Sequence, residues 1–293
     1  MYVSLRDCMV AGEEFESPLA GMRHLGVDQV ELEFSADFAV YAMDTKERIA
    51  LRSDEDATAY GERLQQMGIT PCALLTARDF SQGEMEESIA WLSRAIEMAH
   101  LMGAPAVRID SAMKRERELT FEQRVDLFAQ GLGGALERTP GLPTLLGIEN
   151  HGFQGNNLAF QLNVYQRVGS DRLGATMDTG NFYWRGYPLS EVYGILRVLA
   201  PYTKHTHLKN IRYPEETREQ TREAGWEYET YVAPLDEGDI DHGLVLQILD
   251  QAGYTGDICI EDESLGKFAA ADERIAVLER DVAHVRDILD SLA

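Results

Sequence analysis

The sequence predicts a single α/β domain over residues 1–293, a (β/α)8 TIM barrel closed by a C-terminal helix, and three observations carry that expectation. Short apolar runs alternate with longer segments of helical period eight times from end to end. No Pro/Ser-rich linker or low-complexity tract interrupts them. The turn after the first run, MVAGEEFES (9–17), lacks the G-x-G-x-x-G that an open, doubly wound nucleotide-binding sheet places there.

The strands are expected at 2–10, 27–34, 69–75, 104–110, 144–150, 173–178, 203–209 and 257–262, each a short apolar run rich in strand formers. Between them the apolar residues recur every three or four positions. Met85, Ile89, Leu92, Ile96 and Ala99 form one stripe, Phe121, Val125, Phe128, Leu132 and Ala135 another, and Ile275, Leu278, Val282, Val285, Leu289 and Leu292 the last. Gly26, Gly68 and Gly103 directly precede strands, where a left-handed helix cap costs glycine least. The GLGG run at 131–134 sits inside a helical stripe and is expected to permit close packing rather than phosphate binding. One connection, Asn210 to Asp241, is long enough to suggest a lid or a binding loop.

Fifty acidic against 27 basic side chains give a net charge of −23, which repels phosphate backbones and anionic lipid, so nucleic acid and membranes are poor partners and a small neutral or metal-chelated molecule fits better. With 44% hydrophobic residues the chain can bury a substantial core. Cys8, Cys72 and Cys259 are odd in number and widely spaced, as expected of buried thiols in a cytoplasmic protein rather than a disulfide framework or a structural zinc site. No run of 18 apolar residues and no signal-like N-terminus is present, so a soluble, unprocessed chain is expected. A homo-oligomer is compatible with these features.

In such a barrel the chemistry gathers at the C-terminal strand ends. The fifth strand ends in GIENHG (Glu149, Asn150, His151) and the sixth in MDTGN (Asp178, Asn181). The seventh ends in HTHLKN, with His205, His207 and Lys209 on one side, and the eighth in ICIEDES, with Glu261 and Glu263 opposite Asp262. The strands read as otherwise apolar, so these carboxylates lack a visible counter-charge, and a divalent cation would supply one. Glu149, Asp178, His207 and Glu261 are therefore expected to bind one divalent metal ion per site. Three carboxylates and one imidazole suit Mn²⁺, Mg²⁺ or Co²⁺, with zinc also compatible. His205 lies deeper and is expected to be a hydrogen-bonded core histidine. His151 is equally open to contacting substrate or to supporting a ligand.

Together E-N-H, D-T-G-N, H-x-K, the glutamate ending the eighth strand and the G-x-D-x-V-E-L run from Gly26 to Leu32 resemble the xylose isomerase-like TIM-barrel family of sugar phosphate isomerases and epimerases. The resemblance covers nearly the whole chain. It implies that Glu149, Asp178, His207 and Glu261 are metal ligands, that Glu149 and Glu261 also move protons, and that Arg212 occupies a substrate-contacting position. The epimerase branch carries a histidine three residues after the strand-six aspartate, where this chain has Asn181.

The implied chemistry is proton abstraction alpha to a carbonyl through a metal-stabilised enediolate. Return of the proton makes the chain a sugar or cyclitol isomerase or epimerase, the leading expectation. Loss of a β-substituent makes it a lyase or dehydratase of a keto-sugar, keto-glycoside or keto-cyclitol, for which His151, Lys209 and the Phe182, Tyr183, Trp184 cluster would supply acid and substrate wall. His151, Asn181, Trp184, Lys209 and Arg212 are the expected substrate contacts. An endonuclease of the same superfamily would need more histidines and a basic groove, and a catalytically silent barrel would hold no metal. Tyr213, Trp226, Tyr228 and Tyr231 make the 210–241 connection aromatic, as a lid over a sugar ring, a packed loop or an oligomer contact would be.

Overall fold

The computed structural model describes residues 1–292. Strands β1 (Tyr2–Arg6), β2 (Gln29–Glu33), β3 (Thr70–Thr76), β4 (Ala106–Ile109), β5 (Leu145–Glu149), β6 (Leu173–Asp178), β7 (Thr203–His207) and β8 (Asp257–Ile260) form one parallel sheet in the order β8-β1-β2-β3-β4-β5-β6-β7. Every expected strand is present, most of them shorter than the apolar run that announced it. The first ends at Arg6 because Asp7–Met9 turns into a 3-10 helix, and the Asp7 carboxylate accepts the Glu33 N–H at 2.9 Å, tying that turn to β2.

The barrel closes between β7 and β8 along a seam unlike its other joints. Near the top, the Leu208 N–H donates to the Cys259 carbonyl (2.8 Å) and the Glu261 N–H to the Leu208 carbonyl (2.9 Å). Below, the Thr206 hydroxyl replaces the backbone ladder, donating to the Asp257 carbonyl (2.9 Å) and accepting the Cys259 N–H (3.0 Å).

Helices α1 (Pro18–Leu25), α2 (Asp54–Met67), α3 (Met85–Met102), α4 (Phe121–Arg138), α5 (Leu158–Val168), α6 (Leu189–Leu199), α7 (His242–Gln251) and α8 (Ala271–Leu292) surround the sheet. The expected stripes face inward: Leu92, Ile96 and Ala99 of α3, Val125, Phe128 and Leu132 of α4, and Leu278, Val282 and Val285 of α8 are buried. Gly26, Gly68 and Gly103 take the left-handed cap conformation. The GLGG run is a packing device, since a Cβ on Gly131 would strike Phe80 and one on Gly134 would strike Ile89.

Two expectations are corrected, and the long connection takes one of the forms anticipated for it. The strands are not otherwise apolar, because Glu31, Arg108, His205 and Asp257 are buried charged or ionisable groups within them. Cys8 is exposed on the turn after β1, while Cys72 and Cys259 are buried as anticipated. The 210–241 connection is ordered by a two-stranded antiparallel ladder, Asn210–Ile211 with Val232–Ala233, and by short helical turns at Glu215–Thr217 and Tyr228–Tyr231. Its Tyr213 is buried against Tyr183, Trp226 and Tyr231, so most of its aromatic content packs the loop onto its own barrel. An antiparallel pair, Ala39–Tyr41 with Arg48–Ala50, was not anticipated.

Candidate metal centre

Glu149, Asp178, His207 and Glu261 stand at the ends of β5 to β8 as expected, with one ligand atom from each lying within 4.8 Å of all the others. Parallel registry places them there: Asp178 is paired with His207 across β6–β7, and Glu149 with Thr176 across β5–β6. The loop after β5 fixes the level of Asp178. Asn150 Oδ1 accepts the Asp178 N–H (2.8 Å), and its Nδ2 donates to the Asp178 carbonyl (2.9 Å). Asp178 Oδ1 then accepts the backbone N–H groups of Gly180 and Asn181, both at 2.8 Å, leaving Oδ2 to face the cluster.

The counter-charges that the sequence did not reveal come from the protein itself. Arg108 of β4 pairs with Glu149, and Arg6 of β1 with Glu261. Lys209 Nζ lies 3.0 Å from Asp178 Oδ2, 3.2 Å from Glu261 Oε2 and 2.6 Å from Glu263 Oε1. Burial works to raise the pKa of Glu149, but Arg108 and then His207 outweigh it and hold the carboxyl well below the usual range. Glu261 is depressed likewise, with Lys209 and His207 overcoming burial. Asp178 goes the other way, because burial and the neighbouring Glu149 and Glu261 outweigh Lys209.

Three buried atoms of this cluster nonetheless have no hydrogen-bond partner: Asp178 Oδ2, His207 Nδ1 and Glu261 Oε2. His207 Nδ1 is 3.2 Å from Glu261 Oε2 and 3.5 Å from Glu149 Oε1 without bonding geometry to either. Lys209 offsets charge on the two carboxylate oxygens without hydrogen-bonding them, buried lone pairs without such bonds are costly, and a divalent cation accepts electrons from all three at once. The donor set and these orphaned atoms fit a hard or borderline metal ion.

The other expected residues divide. Asn181 Nδ2 donates to Glu149 Oε1 at 3.1 Å. His151 Nδ1 is 3.0 Å from Asp110 Oδ1, with the ring 45% exposed at the rim, and that hydrogen bond raises its pKa against burial. Lys209 is inside the cluster. His205 lies beneath it, between Glu31 (2.8 Å) and Asp257 (2.7 Å), the hydrogen-bonded core histidine expected. Trp184 is not brought to the ligands; its carbonyl accepts the Gly225 N–H at 2.8 Å and its ring lies under that glycine. Phe182 and Tyr183 are fully buried and form no substrate wall. The Arg212 side chain is exposed and, among the described residues, makes no hydrogen bond or ion pair.

Sequence reasoning missed Glu31, Arg6 and Arg108, although a charge inside a short apolar strand such as AVRI is itself a signal for a barrel-facing polar group. It also missed how Tyr228 would be used. Tyr228 descends from the 210–241 loop and donates its hydroxyl to Glu263, which in turn holds Lys209.

Residues 19–288 match the family model described as a xylose isomerase-like TIM barrel. The chain belongs to the xylose isomerase-like TIM-barrel family. Within that family it is similar to an inosose dehydratase of Klebsiella pneumoniae (strain 342), 23% identical over 261 residues, covering 83% of this chain and 85% of the relative. A structure of L-ribulose 3-epimerase superposes with a TM-score of 0.70 at 17% identity, covering 99% of this chain and 95% of that one. The IOLI protein with a binding zinc atom superposes with a TM-score of 0.69 at 16% identity, covering 99% of each chain. The family's enzymes include epimerases and dehydratases, and no helix among the described residues is long and apolar enough to cross a membrane.

Proposed function

We propose that this chain is a divalent-metal-dependent enzyme that removes the proton alpha to the carbonyl of a keto-sugar or keto-cyclitol, and that loss of a β-hydroxyl or β-alkoxyl completes the reaction. The observation that carries this reading is the convergence of Glu149, Asp178, His207 and Glu261 with three of their buried atoms lacking a hydrogen bond, two of them, Asp178 Oδ2 and Glu261 Oε2, offset in charge by the Lys209 ammonium. A divalent ion held by these residues supplies Lewis-acid polarisation of the substrate carbonyl. Glu149 and Glu261, contributed by different strands, act as the proton-moving pair. Lys209 brings an ammonium to the same oxygens and meets negative charge that develops on the substrate.

Two features favour elimination as the outcome. Asn181, spent on Glu149, stands where the epimerase branch has a histidine and offers no titratable proton. His151, oriented by Asp110 and half-exposed, is available at the rim as the acid for a departing oxygen. The inosose dehydratase relative is consistent with this class. Isomerisation or epimerisation is the second reading, favoured by the paired glutamates, either of which can return the proton.

The test is a panel of an inosose, a ketohexose and a 3-keto-glucoside incubated with the protein and Mn²⁺ in D₂O and followed by NMR. Loss of water or alcohol with appearance of an unsaturated ketone supports elimination. Deuterium at the alpha carbon of an epimer or isomer supports the second reading, and neither deuterium nor product from any member of the panel would overturn both.

A further inference from the structure

The buried carboxylate of Glu31 has no part in the chemistry so far described. It is fully inaccessible, on the barrel-facing side of β2 between the buried Val30 and Leu32. Its Oε2 lies 2.9 Å from His207 Nε2 and its Oε1 2.8 Å from His205 Nε2, so one carboxylate spans two imidazoles whose rings meet edge to face at 5.1 Å. Among the described residues no backbone N–H donates to it, and besides the two histidines it pairs with Arg6, whose Nε is 3.5 Å from Oε2. Beyond His205 the chain of contacts continues through Asp257 Oδ2 (2.7 Å) to the Tyr254 hydroxyl, 3.1 Å from Asp257 Oδ1, at the base of the barrel.

We infer that Glu31 is a positioning residue that decides which nitrogen His207 offers to the ligand cluster. A carboxylate can only accept, so the imidazole nitrogen facing it carries the hydrogen, and a neutral imidazole has one N–H and one lone pair. With Nε2–H donated to Glu31, the lone pair is on Nδ1, the atom that stands 3.2 Å from Glu261 Oε2 and has no hydrogen-bond partner. Glu31 thereby fixes both the tautomer and the tilt of the ring, and its hydrogen bond to His205 Nε2 holds its other oxygen in place. Losing a partner of this kind typically costs about 10- to 100-fold in metal affinity. The inference rests on the metal-centre reading above, and its test is built to fail separately from it.

Zn²⁺ is the probe, being diamagnetic. In ¹⁵N-labelled protein, long-range ¹H–¹⁵N correlations of the His207 ring are expected to show a protonated Nε2 and a Zn²⁺-dependent shift at Nδ1. A metal-shifted Nε2 overturns the inference whether or not any variant folds. Glu31→Leu is expected to weaken Zn²⁺ binding by roughly 10- to 100-fold in competition with a chelating dye. If Glu31→Leu binds Zn²⁺ as the parent does while His207→Ala does not, Glu31 has no positioning role and the centre stands. If His207→Ala also binds as the parent does, the centre itself is misassigned.

Discussion

The guanidinium of Arg108 lies directly against the carboxylate of Glu149 inside the barrel, both side chains almost wholly buried. The pair occupies Glu149 Oε2, so Oε1 is the oxygen left to Asn181 and His207. Arg108→Met strands that carboxylate without its partner, and breaking a buried pair in this way costs about 3–5 kcal/mol. Urea denaturation is expected to show that loss in chelator-treated protein and a smaller one with Zn²⁺ present. An equal loss under both conditions would separate Glu149 from the metal.

The ligand set predicts that Asp178→Asn and His207→Ala each lose the bound ion and turnover together while the barrel remains folded. Elemental analysis beside circular dichroism checks this, and full metal content in either variant rejects that residue as a ligand.

Replacing either proposed proton-moving carboxylate by its amide, Glu149→Gln or Glu261→Gln, is expected to slow turnover by ~10²–10⁴ in metal-loaded protein. Solvent deuterium exchange into unreacted substrate identifies which of the two removes the proton. The residue whose replacement abolishes exchange is the base, and one whose replacement leaves turnover within threefold of the parent has no proton role.

These residues were legible in the sequence for a simple reason. A polar group directly following an apolar run marks a strand end, and parallel strands put their ends on one face of the molecule, so Glu149, Asp178, His207 and Glu261 could be gathered without coordinates. Arg108 and Glu31 lie within runs buried on both faces, where a period of two separates the two sides but does not say which is the barrel's interior. Tyr228 was beyond reach because its approach to Glu263 depends on the path of a loop whose sequence has no period at all.

Asp262 and Asp281 supply a pH prediction away from catalysis. Both are buried, and the Oδ2 atom of each has no hydrogen-bond partner. Burial raises both pKa values, and for Asp281 the nearby Asp262 adds to the rise. The folded state therefore holds a proton that the unfolded state releases near the ordinary carboxylate pKa. This contribution to stability is complete below that pH and is lost as pH rises through the elevated folded value. Asp281→Asn keeps an acceptor for the Leu235 N–H (3.0 Å) and supplies a permanent donor toward Asp262. Thermal melts are expected to show the variant gaining on the parent from weakly acid to alkaline pH, and parallel profiles for the two would show that no proton is shared.

The joint between β7 and β8 gives the centre a mechanical meaning. His207 belongs to one lip of that joint and Glu261 to the other, at the height where backbone bonding through Leu208 gives way below to side-chain bridges from Thr206 and Asp257. Any ion gripped by both residues is a rivet through the place where the cylinder would otherwise unzip. Amide hydrogen exchange along 203–208 and 257–261 should therefore slow on loading with Zn²⁺ more than exchange anywhere between β2 and β4.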